Sequence, residues 1–207
     1  MWGRRGEAPL AHALAHLAVV AGAKPLPAHE GAALAQAYTS HGAQIDRAAM
    51  VALAAAPREL DRGAVTSALR AIYLPWLDEG AVALQELIRI GKVQLSVPSQ
   101  VSSTATTLLF VDGLRMDLAQ DLVRVLSEEG LRVDLQWCWS GFPTVTATCK
   151  PLVSPVANRM KGAATATDVL PHAPDGKPAI KPVLFKLMET EGWATGDALL
   201  SEQKLWA

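Results

Sequence analysis

Twenty-four alanines fall within roughly the first ninety residues, and β-branched residues are few there. Alanine carries the least side-chain entropy cost in a helix, so this half of the chain is committed to helices rather than strands. Apolar residues recur at three and four spacing, as in Ala64, Ala68 and Ala71, then Leu74, Leu77, Val82, Leu84, Leu87 and Ile88. That period lines one face of a helix. Proline breaks fall at Pro25 and Pro27, at Pro57 and at Pro75. Helices are predicted near 8–22, 29–38, 46–55, 62–72 and 76–90. No repeat of fixed period is visible.

The character changes near Val93. Gln94 to Thr107 is rich in Ser, Thr and Val and contains Pro98, which suits a linker over 93–107 feeding a strand. Thr106 to Val111 is a short apolar run ended by Asp112-Gly113, the pattern of a buried parallel strand. Leu114 to Glu129 follows with apolar Leu118, Leu122, Val123, Val125 and Leu126 and a glycine stop at Gly130, an amphipathic helix. Leu131 to Trp137 alternates at period two, as a strand does. Strand, helix and strand in about 35 residues make a βαβ unit. Beyond it, a helix near 146–160, a prolyl loop over 170–181 and a helix over 182–191 are predicted. The expected fold class is therefore α/β: an Ala-rich helical region over 1–92, then a domain over 108–207 with a mainly parallel sheet.

Lys plus Arg number 19 against 20 Asp plus Glu, so the chain has no net basic field to hold polyanions, although a local basic groove is compatible with it. Two cysteines, Cys138 and Cys149, make no disulfide framework and are too few for a structural zinc site on their own. The apolar stretch Leu17 to Ala23 falls far short of the roughly 20 residues that a membrane span needs. Arg4-Arg5 upstream of it is a weak signal-peptide feature. The reading is a reducing, cytoplasmic location with no membrane partner.

Asp112 stands where the apolar run ends. Ligands of open α/β sheets gather beyond the carboxyl ends of strands, so a carboxylate there is a candidate metal ligand; it is equally a candidate cap of the following helix. Pro143-Thr144-Val145-Thr146-Ala147-Thr148 follows the second alternating run. Threonine hydroxyls at a strand-to-helix junction serve either as N-caps or, when a metal or base activates them, as nucleophiles.

Together, the run Phe110 to Leu118 and the run Pro143 to Pro155 resemble the PglZ family, closest in look to the type B phosphatase-like PglZ of BREX phage-defence systems. Leu74 to Gly80, Phe185 to Leu187 and Gly192-Trp193 look like the same subgroup, so the resemblance runs from about residue 70 onward. It implies membership of the alkaline phosphatase superfamily, with an alkaline-phosphatase-like α/β/α domain and two divalent metal ions, commonly zinc. It implies that Asp112 binds a metal and that Thr146 is the nucleophile, with Thr144 the runner-up. A phosphoester substrate, monoester or diester and nucleic acid among the options, is implied too, with other BREX subunits as partners. Lys150 and Arg115 are candidate phosphate-binding cations or solvated charges.

A two-metal site takes roughly six or seven protein ligands. After Thr146 this chain has Asp168, Asp175, Asp197 and His172, and no Asp-His dipeptide. Asp168 and His172 have the family's Asp-x-x-x-His spacing, but Pro171 lies between them and a loop is predicted. His12 and His16 stand one helical turn apart, as zinc-binding pairs can, or on a partly exposed helix face. Trp137 and Trp139 flank Cys138 as packing residues or a stacking platform. The expectation is a fragment holding part of the two-metal site and nearly inert alone; the competing expectation is a non-catalytic scaffold or interaction subunit whose Ala-rich helices dock partners.

Overall fold

The computed structural model describes residues 8–94, 108–139, 141–162 and 169–194. The linker assigned to 93–107 lies almost wholly outside them, as do Thr106, Thr107, Asp168, Asp197 and the Arg4-Arg5 pair. The chain divides into two units, one holding the described residues up to Gln94 with Leu114–Leu135, the other Leu108–Gly113 with the described residues from Gln136 onward.

In the first unit, α1 (Pro9–Ala21), α2 (Gly31–Ala37), α3 (Ala43–Ala54) and α4 (Glu59–Arg89) follow one another, and α5 (Met116–Glu128) joins them. Small side chains let these helices approach closely. Ala13, Ala48, Ala49, Ala52 and Ala56 are buried with Leu17, Val20, Val65 and Leu69 in one core. The backbone at Gly31 comes so near the Lys92 carbonyl that an added Cβ would sit 2.6 Å from its oxygen. A π-turn, Tyr38–Gly42, links α2 to α3. The ring of Tyr38 lies over Gly42, where a Cβ would stand 2.6 Å from Cδ2.

The predicted break at Pro75 does not occur: α4 runs unbroken through it for 31 residues. Proline removes the bond to the Ala71 carbonyl and strains the preceding turn, but side chains on either side hold the helix in place. Tyr73 donates to Asp46 at 2.7 Å, and Trp76 Nε1 donates to the Lys24 carbonyl at 2.9 Å. Pro75 itself is exposed. Pro75→Ala should therefore raise stability by about 2 kcal/mol, the roughly 3 kcal/mol helix penalty of proline less its restriction of the unfolded chain. Denaturant unfolding measures this, and a loss of stability would contradict it.

The second unit holds α6 (Thr146–Leu152), a 3₁₀ turn (Ala157–Arg159) and α7 (Lys181–Thr190). Val156, Ala157, Ala173, Ala179 and Leu184 are buried there. The predicted helix over 146–160 stops at Leu152, one residue beyond Pro151. His172 and Pro178, inside the predicted loop over 170–181, pair in an isolated antiparallel bridge, and His172 pairs likewise with Lys161 outside it.

The α/β fold class is overturned. Among the described residues no strand or sheet forms, and the architecture is helical. Leu108, Leu109, Phe110 and Val111, read as a buried strand, are all exposed, Leu109 by 86%. Leu131, Leu135 and Trp137 of the second alternating run are exposed as well. A strand is stable only when its N–H and C=O groups find a ladder partner and one face is covered; these segments have the side-chain pattern without the ladder. The amphipathic helix between them is real, but its packing is the reverse of that expected. Asp117 and Ala119 are buried, while Leu118, Leu122 and Val125 are exposed. Polar anchors set this rotation: Gln120 Nε2 donates to the Thr39 carbonyl at 2.6 Å, and Asp121 pairs with Arg47 of α3.

Candidate functional site

Two stretches of the second unit meet at their polar residues. Asp112 and Gly113 form a turn in which Gly113 takes φ +68°, a left-handed conformation that suits glycine. From that turn, both carboxylate oxygens of Asp112 face the Thr146 hydroxyl, at 3.5 and 3.4 Å. Ordinary O–H···O bonds run about 2.7–2.8 Å, so this is a loose contact.

Thr146 is the first residue of α6, with Val145 as a hydrophobic cap residue. Lys150 lies four residues on and so shares its face. Its ammonium stands 5.0 Å from the centre of the Phe110 ring, a cation–π distance. Phe110 and Asp112, two residues apart, thus meet Lys150 and Thr146, four apart. The remaining α6 side chains fix the helix. Thr148 is buried and donates to the Val169 carbonyl at 2.6 Å. Gly141 lies tight beneath α6, where a Cβ would stand 2.7 Å from Leu152 Cδ1.

The five predicted site residues fall into three groups. Asp112 and Thr146 are brought together, and Lys150 shares the face of Thr146. Thr144 is exposed and lies two residues before the helix. Arg115 belongs to the first unit, where it grips Asp117 through two bonds of 2.9 Å. Those bonds raise its pKa above the ordinary guanidinium value. Trp137 and Trp139 meet edge to face at 5.9 Å, with Phe142 next to Trp139 at 6.1 Å.

The residue reading missed a second constellation, in the first unit. Asp46, only 6% exposed, accepts from Tyr38 at 2.5 Å and from Tyr73 at 2.7 Å. Burial, and then Asp46, push both phenol pKa values well above their ordinary 10.0. One signal was present: Asp46 is flanked at three residues by Ala43 and Ala49, which places a carboxylate on the apolar face of α3. This arrangement ties α3, α4 and the π-turn together and offers no nucleophile.

Zinc in catalytic sites takes about three protein ligands per ion. Asp112 and Thr146 supply one carboxylate and one hydroxyl, and among the described residues no three His, Cys, Asp or Glu side chains gather around one point. These residues alone do not fit a two-metal centre. Among the described residues, no helix is long and apolar enough to cross a membrane. No family model, curated protein or solved structure matches the chain.

Proposed function

We propose that the chain carries the nucleophile segment of a PglZ-like phosphoester hydrolase of a BREX-type defence system. The observation that supports this is the Asp112–Thr146 contact across 34 residues of sequence. A threonine hydroxyl is a weak nucleophile until a neighbour takes its proton. In this reading Asp112 accepts that proton as Thr146 Oγ1 bonds to phosphorus and the ester P–O bond breaks, the electron pair leaving with the leaving-group oxygen. Water then releases the phosphoryl group from Thr146. Lys150 balances negative charge on the phosphoryl oxygens from the same helix face. In this reading two divalent ions, zinc by resemblance, belong to the complete enzyme. Those ions would supply Lewis-acid stabilisation of the phosphoryl oxygens, and one oxygen of Asp112 would hold one of them while its other oxygen faces Thr146.

The test is mass spectrometry of the chain after incubation with bis(p-nitrophenyl) phosphate in the presence of zinc or manganese. A covalent nitrophenylphosphoryl adduct is expected on the peptide containing Thr146. It should fall on the order of 1,000-fold in Thr146→Ala and persist in Thr144→Ala. An adduct on Thr144, or turnover that survives Thr146→Ala, would overturn the assignment of the nucleophile. The absence of both adduct and turnover would overturn the hydrolase reading for this chain.

One observation favours a second reading, a non-catalytic interaction subunit. Leu114, Leu118, Leu122 and Val125 form an exposed stripe along and just before α5, each more than 40% accessible. Contiguous apolar surface of this kind marks interaction sites, and in this reading other BREX subunits cover it.

A further inference from the structure

We propose that His12 and His16 form a two-histidine site for a divalent transition metal, copper(II) above all. The site lies on α1 in the first unit and is independent of the phosphoester reading.

The two residues sit one turn apart on α1, so their side chains project from the same face. Their Nε2 atoms approach to 3.0 Å, with ring centres 4.8 Å apart and planes tilted by 60°. Two neutral imidazoles make such a contact by placing one proton between the nitrogens. A metal ion replaces that proton when both rings carry their hydrogen on Nδ1 instead.

Affinity selects the metal. Imidazole nitrogens bind first-row divalent ions at about 2.0–2.1 Å, so two of them on one ion stand about 2.9–3.4 Å apart for angles from 90° to tetrahedral. The observed 3.0 Å is a hydrogen-bond distance, and a small turn of the two rings brings both nitrogens onto one ion. Copper(II) binds nitrogen ligands most strongly of the divalent series.

The helix is held ready for this. On the adjoining face Ala13 and Val20 are at most 1% exposed and Leu17 is 9% exposed, all within the core. The rings are thus presented by a packed helix, and binding requires no ordering of the backbone. Around them, Ala11, Ala15 and Val19 are exposed, and small side chains leave room for further ligands on the metal. An added chelator can take the remaining coordination positions.

Copper(II)–iminodiacetate tests the site, because the chelator occupies part of the coordination sphere and leaves room for two imidazoles. Titration of the full chain, followed by electron paramagnetic resonance, should show one tightly held copper with two imidazole nitrogens. His12→Ala and His16→Ala should each weaken binding at least about tenfold, to the level of the double variant, because chelation needs both rings. Alanine keeps the helix, which far-UV circular dichroism of each variant verifies. His29→Ala, elsewhere on the chain, should leave binding unchanged. Affinity within threefold of the parent in either single variant, or a signal from one imidazole only, would overturn the site. A zinc chelate binding as tightly as the copper chelate would overturn the preference for copper(II).

Discussion

Asp46→Ala should cost the first unit about 3 kcal/mol, read as a fall of about 10 °C in the thermal midpoint. The carboxylate is buried and accepts from two phenols, Tyr38 and Tyr73, that reach it from the π-turn and from α4. Truncation strands two partly buried hydroxyls at about 1–3 kcal/mol each, a cost reduced by whatever water enters the space. Tyr73→Phe removes one donor and leaves the carboxylate its other partner, so it should cost about half as much. The pair of variants separates a hydrogen-bond network from a simple packing defect; an Asp46→Ala change below about 0.5 kcal/mol would refute the network.

The same cluster gives the first unit an alkaline limit. Both tyrosines hold their protons in the folded state to a pH well above the ordinary 10.0. Between the unfolded and folded pKa values the unfolded chain binds fewer protons, so stability falls as pH rises. The contribution is fully present below pH about 10 and is lost progressively above it. Burial is the larger cause and Asp46 the next; the slope of stability against pH above 10 should become shallower, without vanishing, in Asp46→Ala.

The second large effect is expected at Trp76. Its side chain is 7% exposed, stacks on Tyr73 at 6.0 Å and donates to the Lys24 carbonyl, 52 residues away. Trp76→Ala removes the apolar contacts and leaves a cavity, at about 3–5 kcal/mol. Trp76→Phe keeps most of the apolar volume and loses the Nε1 bond, at about 1 kcal/mol. Equal losses in the two variants would mean that the hydrogen bond, and not the packing, fastens the α1–α2 connection to α4. Urea unfolding monitored by far-UV circular dichroism reads both.

The helices of the first unit were legible because their signals are local. Alanine content, three-and-four spacing and the Pro25–Pro27 and Pro57 breaks place α1 to α3 and the start of α4 to within a few residues of the observed bounds. Pro75 misled because its cost of about 3 kcal/mol is local, while Tyr73 and Trp76 act through partners distant in sequence. Leu108–Val111 and Leu131–Trp137 misled for the opposite reason. Their side-chain patterns are those of strands, but a pattern cannot supply the ladder that strands require.

At the candidate site the threonines and Asp112 were singled out by their positions after apolar runs. That Asp112 faces Thr146, that Lys150 rests on Phe110 and that Arg115 is held by Asp117 are facts of folding. The sequence by itself determined where the helices of the first unit lie as far as Pro75, since propensity and apolar period act over a few neighbouring residues. Tertiary structure alone decided that α5 buries Asp117 and Ala119 and exposes its leucines, and which charges meet. Rotation of a helix and pairing of side chains depend on what the rest of the chain brings alongside, and no short window of sequence contains that information.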